Sequence, residues 1–299
     1  MLRTLTTTLA ASLALTAGAI AQENGFQTTE LEDGIYMIAN DRAGNVGLIE
    51  AGDHLILIDT QMPPFLDDLE AAVRGASGGR TPTLVINTHF HGDHVLGNAH
   101  FAALGAGILA HRNVAERLAN PVTSQLTGRT PAALDEAFLP DILVSEAMML
   151  SRFGVTGEVL HFANAHTDGD IIVNIADANI IHMGDLLFSG RYPFIDLDAG
   201  GSVEGFIAAL DEIIGFSDDE TRFIAGHGPL STRDDLIASR DMLIEGRARV
   251  AALVEEGHDL AAIQEQNPLS DFHDAWNWGF ITTERMIWTF YRDITGLTQ

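Results

Sequence analysis

The sequence predicts an α/β protein: a four-layer αββα sandwich of two mixed β-sheets, with helices on both outer faces. Three observations predict it. Strand-like and helix-like runs alternate, they fall into two similar halves, and each half opens with strands and closes with helices. The composition supplies a core for such layers, since 46% of the 299 residues are hydrophobic and 19% charged. A chain so composed is not disordered.

Residues 1–21 (MLRTLTTTLAASLALTAGAIA) set one basic residue, Arg3, before a small apolar run that ends in A-x-A. This is the layout of a secretory signal peptide. It leaves 22–299 as one domain and predicts a bacterial periplasmic or secreted location. No later run is apolar for long enough to span a bilayer. Residues 34–40, 46–51 and 54–60 are short β-rich runs broken by Gly and Asn, an antiparallel meander. A loop at 62–65 leads to an amphipathic helix at 66–73, and 83–87 (TLVIN) is a buried strand. Helices are predicted at 114–118 and 131–138. Strands resume at 158–163, 171–175 and 179–182, followed by a helix at 206–214 and a strand at 222–225. From 234 the pattern is helical, ending in 284–294.

Composition excludes several chemistries. There is no cysteine, so disulfides, thiolate metal sites and a cysteine nucleophile are out. Every basic residue is arginine, which removes Schiff-base and P-loop lysine chemistry. A formal charge of −26 repels phosphate backbones and anionic lipid. A small-molecule substrate is therefore expected, with no nucleic-acid or membrane partner.

The chemistry-bearing segment is THFHGDH, residues 88–94. A chance H-x-H-x-D-H in a chain of this composition is on the order of one in a thousand. After a strand, i,i+2 spacing turns His89 and His91 to one side, and Gly92 permits the turn that brings Asp93 and His94 to the same hollow. Imidazole and carboxylate are zinc ligands, and two sets of them suit two metals. More ligands must come from downstream, and candidates stand at strand ends: His166 in NAHTDGD, Asp185 in MGD and His227 in AGHGP.

The series His89, His91, Asp93, His94, His166, Asp185 and His227 resembles the metal-binding motifs of the metallo-β-lactamase superfamily. Asp59, ending LID, is similar to its first motif. The resemblance covers the chain from about residue 30 to the last helix. It implies one zinc held by His89, His91 and His166, and a second held by Asp93, His94 and His227. It also implies that Asp185 bridges them as in the glyoxalase-II-like branch, and that Asp59 supports the ligands from behind. Iron or manganese also suits a bridging carboxylate. The implied reaction is attack by a metal-bridging hydroxide on an amide, lactone or ester carbonyl, with Asp93 orienting the nucleophile and shuttling a proton. β-Lactams are candidate substrates. Against them, Asp185 stands where β-lactamases carry cysteine or serine, and Phe188 where one class carries a carboxylate-binding lysine. Thioesterase, lactonase or phosphodiesterase activity, or a non-hydrolytic periplasmic metal or redox accessory role, are the alternatives.

Around the motifs, Arg191 and Tyr192 are candidates to bind a substrate carboxylate, or else a surface ion pair and an ordinary loop tyrosine. His182 reads as structural, because strand alternation turns it away from Asp185. Asp168 and Asp170 read as loop caps. The aromatics Trp276, Trp278, Phe280, Trp288 and Tyr291 read as core packing. Residues 62–65 and 122–149 flank the cleft as lid or packing.

Overall fold

The computed structural model describes residues 19–23, 25–40 and 42–297. Most of the expected leader, 1–18, lies outside the described residues. Ala19–Glu23 (β1) pairs with the following strand at a sheet edge.

Among the described residues the first sheet has eight strands in chain order. They are β1, β2 (Phe26–Glu32), β3 (Ile35–Ala39), β4 (Val46–Ala51), β5 (His54–Ile58), β6 (Leu84–Asn87), β7 (Gly107–His111) and β8 (Ile142–Val144). Neighbours are antiparallel as far as β5 and parallel beyond it. The second sheet runs β13-β12-β11-β10-β9. Its strands are β9 (Ala147–Met149), β10 (Gly157–Phe162), β11 (Asp170–Ile175), β12 (Ile180–Phe188) and β13 (Arg222–His227), with only β12 and β13 parallel. Both sheets are mixed.

Period-two alternation builds the layers. Ile56 and Ile58 of β5 face Val173 and Ile175 of β11 across the inter-sheet core. Leu55 and Leu57 turn outward onto Leu69 and Val73 of α1 (Leu66–Ala76). Short helices α2 (Gly92–Val95), α3 (Asn98–Ala103) and α4 (Arg112–Ala119) follow β6 and β7. On the far side, Ile172, Ile181 and Phe223 pack on α5 (Val203–Phe216), α6 (Arg233–Glu255) and α9 (Thr283–Thr295). Helices α7 (Leu260–Gln266) and α8 (His273–Trp276) complete that layer. This is the four-layer αββα sandwich that the sequence predicts. Among the described residues no helix is long and apolar enough to cross a membrane.

Two expectations need correction. Residues 131–138 are not a helix; only Glu136–Phe138 forms a 3-10 turn. Most of that segment is exposed, and Leu134 N–H donates to Leu118 O of α4 instead of to a helical carbonyl. The strand expected to stop at 182 continues to Phe188, so Asp185 lies inside β12 rather than after it.

Candidate metal centre

The ligand candidates converge at one edge of the sandwich. β6 runs straight into His89, and α2 begins three residues later with Asp93 and His94 in its first turn. His166 precedes β11, Asp185 lies in β12 and His227 ends β13. Donor atoms fall into two groups, His89, His91, His166 and Asp185 in one and Asp93, His94 and His227 in the other, each within 4.8 Å internally.

In the first group His89 Nε2 lies 3.0 Å from His91 Nδ1, which lies 2.9 Å from His166 Nε2. In the second, Asp93 Oδ2 stands 3.6 Å from His94 Nε2 and 3.4 Å from His227 Nε2. Asp185 stands between them, with Oδ1 3.3 Å from His94 Nε2 and Oδ2 3.6 Å from His166 Nε2 and 3.5 Å from His227 Nε2. Such separations match atoms that share coordination spheres of about 2 Å radius.

The protein holds each ring from behind. His94 Nδ1 donates to Asp59 Oδ2 at 2.8 Å, and Asp59 also accepts Thr88 N–H and Thr88 Oγ1–H. To aim there, Asp59 takes φ +67°, a left-handed conformation that aspartate tolerates better than most residues. His166 Nδ1 donates to Phe194 O, and His91 Nε2 to Asp196 Oδ2 at 3.0 Å. These contacts leave the opposite ring nitrogens facing the hollow. Gly44 N–H donates to Asp93 Oδ2, while Gln61 Nε2 donates to Gly44 O and Asn45 ties the same turn to the carbonyls of Ala225, Gly226 and Gly228. Gly44 and Gly226 are required here. A Cβ would lie 2.8 Å from His94 Cε1 at the first and 2.0 Å from Asp185 Oδ1 at the second.

The electrostatics fit a cation. Burial holds His89 well below the usual histidine range and His166 at about 4, so both are neutral with lone pairs available. Burial opposes charge on His94, but Asp185, Asp93 and Asp59 outweigh it and push its pKa up to about 10. Burial would raise Asp185, yet His227, His94 and His89 hold it well below the usual carboxylate range. Two buried atoms in the hollow, His94 Nε2 and Asp185 Oδ1, have no protein hydrogen-bond partner. Orphaned buried donors and acceptors are costly, and a metal ion satisfies both. The imidazole and carboxylate set fits zinc, iron or manganese.

Other predicted residues are placed differently. Arg191 lines a cavity of about 390 Å³ that His227 also walls. Tyr192 does not face it: the side chain is fully buried in the core beneath the second sheet, which corrects the expectation of a substrate contact. Backbone groups hold it, with Tyr192 N–H donating to Trp276 O and Tyr192 O accepting from Trp278 Nε1. Trp276, Trp278, Phe280 and Tyr291 pack against the core as expected, and Trp278 is in addition a wall of the same cavity. Phe188 stacks on His227, ring centroids 5.1 Å apart. His182 is buried, but not because alternation turns it away from Asp185. Gly184, at φ +51° beside a register shift, breaks the alternation, and His182 lies against Gly47 of the first sheet. Asp168 pairs with Arg117, and Asp170 accepts the N–H and hydroxyl of Thr167. Sequence reasoning missed Asp196, Gly44, Asn45 and Gln61. Asp196, in PFID, carries no spacing signal toward His91, 105 residues away.

Fold and site together define a class: an αββα sandwich with a histidine–aspartate cluster able to hold metal at the sheet edge. Within it, the chain belongs to the metallo-β-lactamase superfamily, whose sequence profile matches residues 39–227. Solved structures similar to it include the stereoselective inverting sec-alkylsulfatase Pisa1 from Pseudomonas sp. (TM-score 0.65, 15% identity, 91% of this chain and 50% of that one). A metallo-β-lactamase from Erythrobacter litoralis matches at TM-score 0.61 and 16% identity, over 75% of this chain and 99% of that one. VMB-1 matches at 0.59 and 15%, over 75% and 98%. This chain thus spans half the length of the alkylsulfatase. No curated protein sequence matches it.

Proposed function

We propose that this chain is an exported hydrolase that binds two zinc ions and opens an amide, lactone or ester bond in a small molecule, with β-lactams among the first substrates to assay. One observation carries the reading: seven ligand atoms from four separate segments meet in two adjoining groups. His89, His91 and His166 would hold one ion, and Asp93, His94 and His227 the other, with Asp185 between them. Zinc bound there supplies Lewis acidity and ionises water near neutral pH. Asp93 has one oxygen fixed by Gly44 N–H; the other is the candidate for orienting the nucleophile and passing on a proton. Arg191, on the wall of the cavity beside His227, is the candidate for binding a substrate carboxylate. Asp185, in place of cysteine or serine, favours thioester, lactone or phosphodiester substrates as the second reading. Export rests on the leader-like layout of residues 1–21.

The test joins metal analysis to a panel of chromogenic β-lactam, lactone, thioester, phosphodiester and secondary alkyl sulfate substrates. About two zinc ions per chain and turnover of one carbonyl class are expected. His91→Ala and Asp185→Ala should each lower metal content sharply with the fold retained. Full zinc occupancy without turnover on any substrate would overturn the hydrolase reading in favour of a non-hydrolytic accessory role.

A further inference from the structure

Among the described residues, no aspartate or glutamate lines the cavity of about 390 Å³ at the His227 end. Two arginines line it, Arg42 from the β3–β4 turn and Arg191 from the segment after β12. Among the described residues, Arg42, Arg129, Arg152 and Arg191 make no side-chain hydrogen bond or ion pair, whereas every other arginine does. Arg129 and Arg152 lie away from this cavity, whereas Arg42, exposed, and Arg191, half-buried, stand at its wall. Arg42 lies over the Phe65 ring at 4.9 Å and Arg191 over the Trp278 ring at 5.4 Å. Stacking of this kind fixes a guanidinium and leaves its in-plane N–H donors unspent. Asn40 lines the same wall. Its Oδ1 accepts the N–H groups of Arg42 and Ala43, and its buried Nδ2 has no partner. In so acidic a chain, this is a concentration of donors without a partner among the described residues, beside the candidate metal centre.

A second space adjoins the other ligand group. A crevice of about 180 Å³ beside His91 is walled mainly by Phe90, Val95, Leu96, Leu118 and Leu134, with Arg117, paired to Asp168, the one charged residue among its described lining. Its volume is comparable to the roughly 150 Å³ apolar cavity that accepts benzene. His91 and His227 belong to different ligand groups, so each space adjoins its own group.

We propose that the metal centre lies between an anion subsite (Arg42, Arg191, Asn40) and an apolar subsite beside His91. The preferred ligand is then a small acid with an aryl or short alkyl group at the end opposite its anionic group. The word substrate rests on the hydrolase reading, but the two subsites do not.

Binding therefore tests them without turnover. Calorimetry on metal-free and zinc-loaded protein would use ω-phenylalkanoates from phenylacetate to phenyloctanoate, their primary amides, and unbranched alkanoates lacking the ring. In metal-free protein, where no carboxylate can reach a metal, each acid should bind about tenfold or more tighter than its amide, the size of one charge-assisted hydrogen bond. Arg42→Gln and Arg191→Gln should each shrink that ratio and together abolish it. The phenyl acids should bind more tightly than alkanoates of equal chain length, with a best length within the series. Equal affinity of acid and amide, or of phenyl acid and alkanoate, would overturn the proposal. If the binding pattern holds while the substrate panel stays silent, the subsites stand and the hydrolase reading falls; turnover with no acid preference gives the reverse.

Discussion

At the scale of the residue, His94 concentrates the physics of the centre. It is fully buried, donates through Nδ1 to Asp59, and presents an unpartnered Nε2 to Asp185 and Asp93. Three carboxylates overcome the cost of burial and hold its proton up to about pH 10. Because the folded pKa exceeds the unfolded value of about 6.5, this proton stabilises the metal-free fold fully below that pH. The contribution is lost as pH climbs through about 10. Metal binding requires the neutral ring. Imidazole NMR on metal-free protein should therefore show His94 titrating near pH 10, and zinc added at pH 8 should displace that proton. A ring already neutral at pH 8 without metal would contradict the assignment. Asp59 was legible from the likeness of LID to the superfamily's first motif. Asp196, the corresponding partner of His91, was not, because it reaches that ring only through the folded course of the segment after β12.

At the scale of the element, the centre depends on where strands stop and bend. The 88–94 motif was readable because its ligands are local and a strand followed by a short helix start presents them to one side. β12 was misread at 182 because Gly184 breaks the period-two pattern from which a strand is recognised. That same break brings Asp185 to the hollow. Gly226 on β13 leaves the room Asp185 needs, since a methyl group there would lie 2.0 Å from Asp185 Oδ1 and 2.6 Å from Gly184 O. Neither the carboxylate nor the strand backbone can yield without moving a ligand. Gly226→Ala should thus lose most bound metal while circular dichroism keeps the native sheet and helix signal. Gly215→Ala on α5, where a Cβ meets nothing within 4 Å, should bind metal as the parent does. Equal metal content in the two variants would refute the packing argument.

At the scale of the whole molecule, the two sheets meet over an apolar core that contains none of the candidate ligands. Ile56, with no exposure, packs between them against residues of β11. Ile56→Ala should lower unfolding free energy by about 2–5 kcal/mol and leave metal stoichiometry unchanged. Metal loading should in turn raise the melting temperature of both proteins, because the ligands come from both sheets and only the folded chain unites them. A variant that loses metal along with stability would show that core and centre are one cooperative unit.

By itself the sequence determined the layered class, the ligand types and the identity of every candidate ligand. Alternation and strand-end placement are local signals, and a dense run such as H-x-H-x-D-H carries its chemistry in its spacing. The grouping of the ligands and the bridging place of Asp185 came from the family resemblance; tertiary structure alone decided that Asp196 backs His91, that Trp278 and Arg42 wall the cavity, and that Tyr192 turns into the core. Those outcomes depend on distances between segments remote in sequence, which the packing of two sheets sets and no local periodicity encodes.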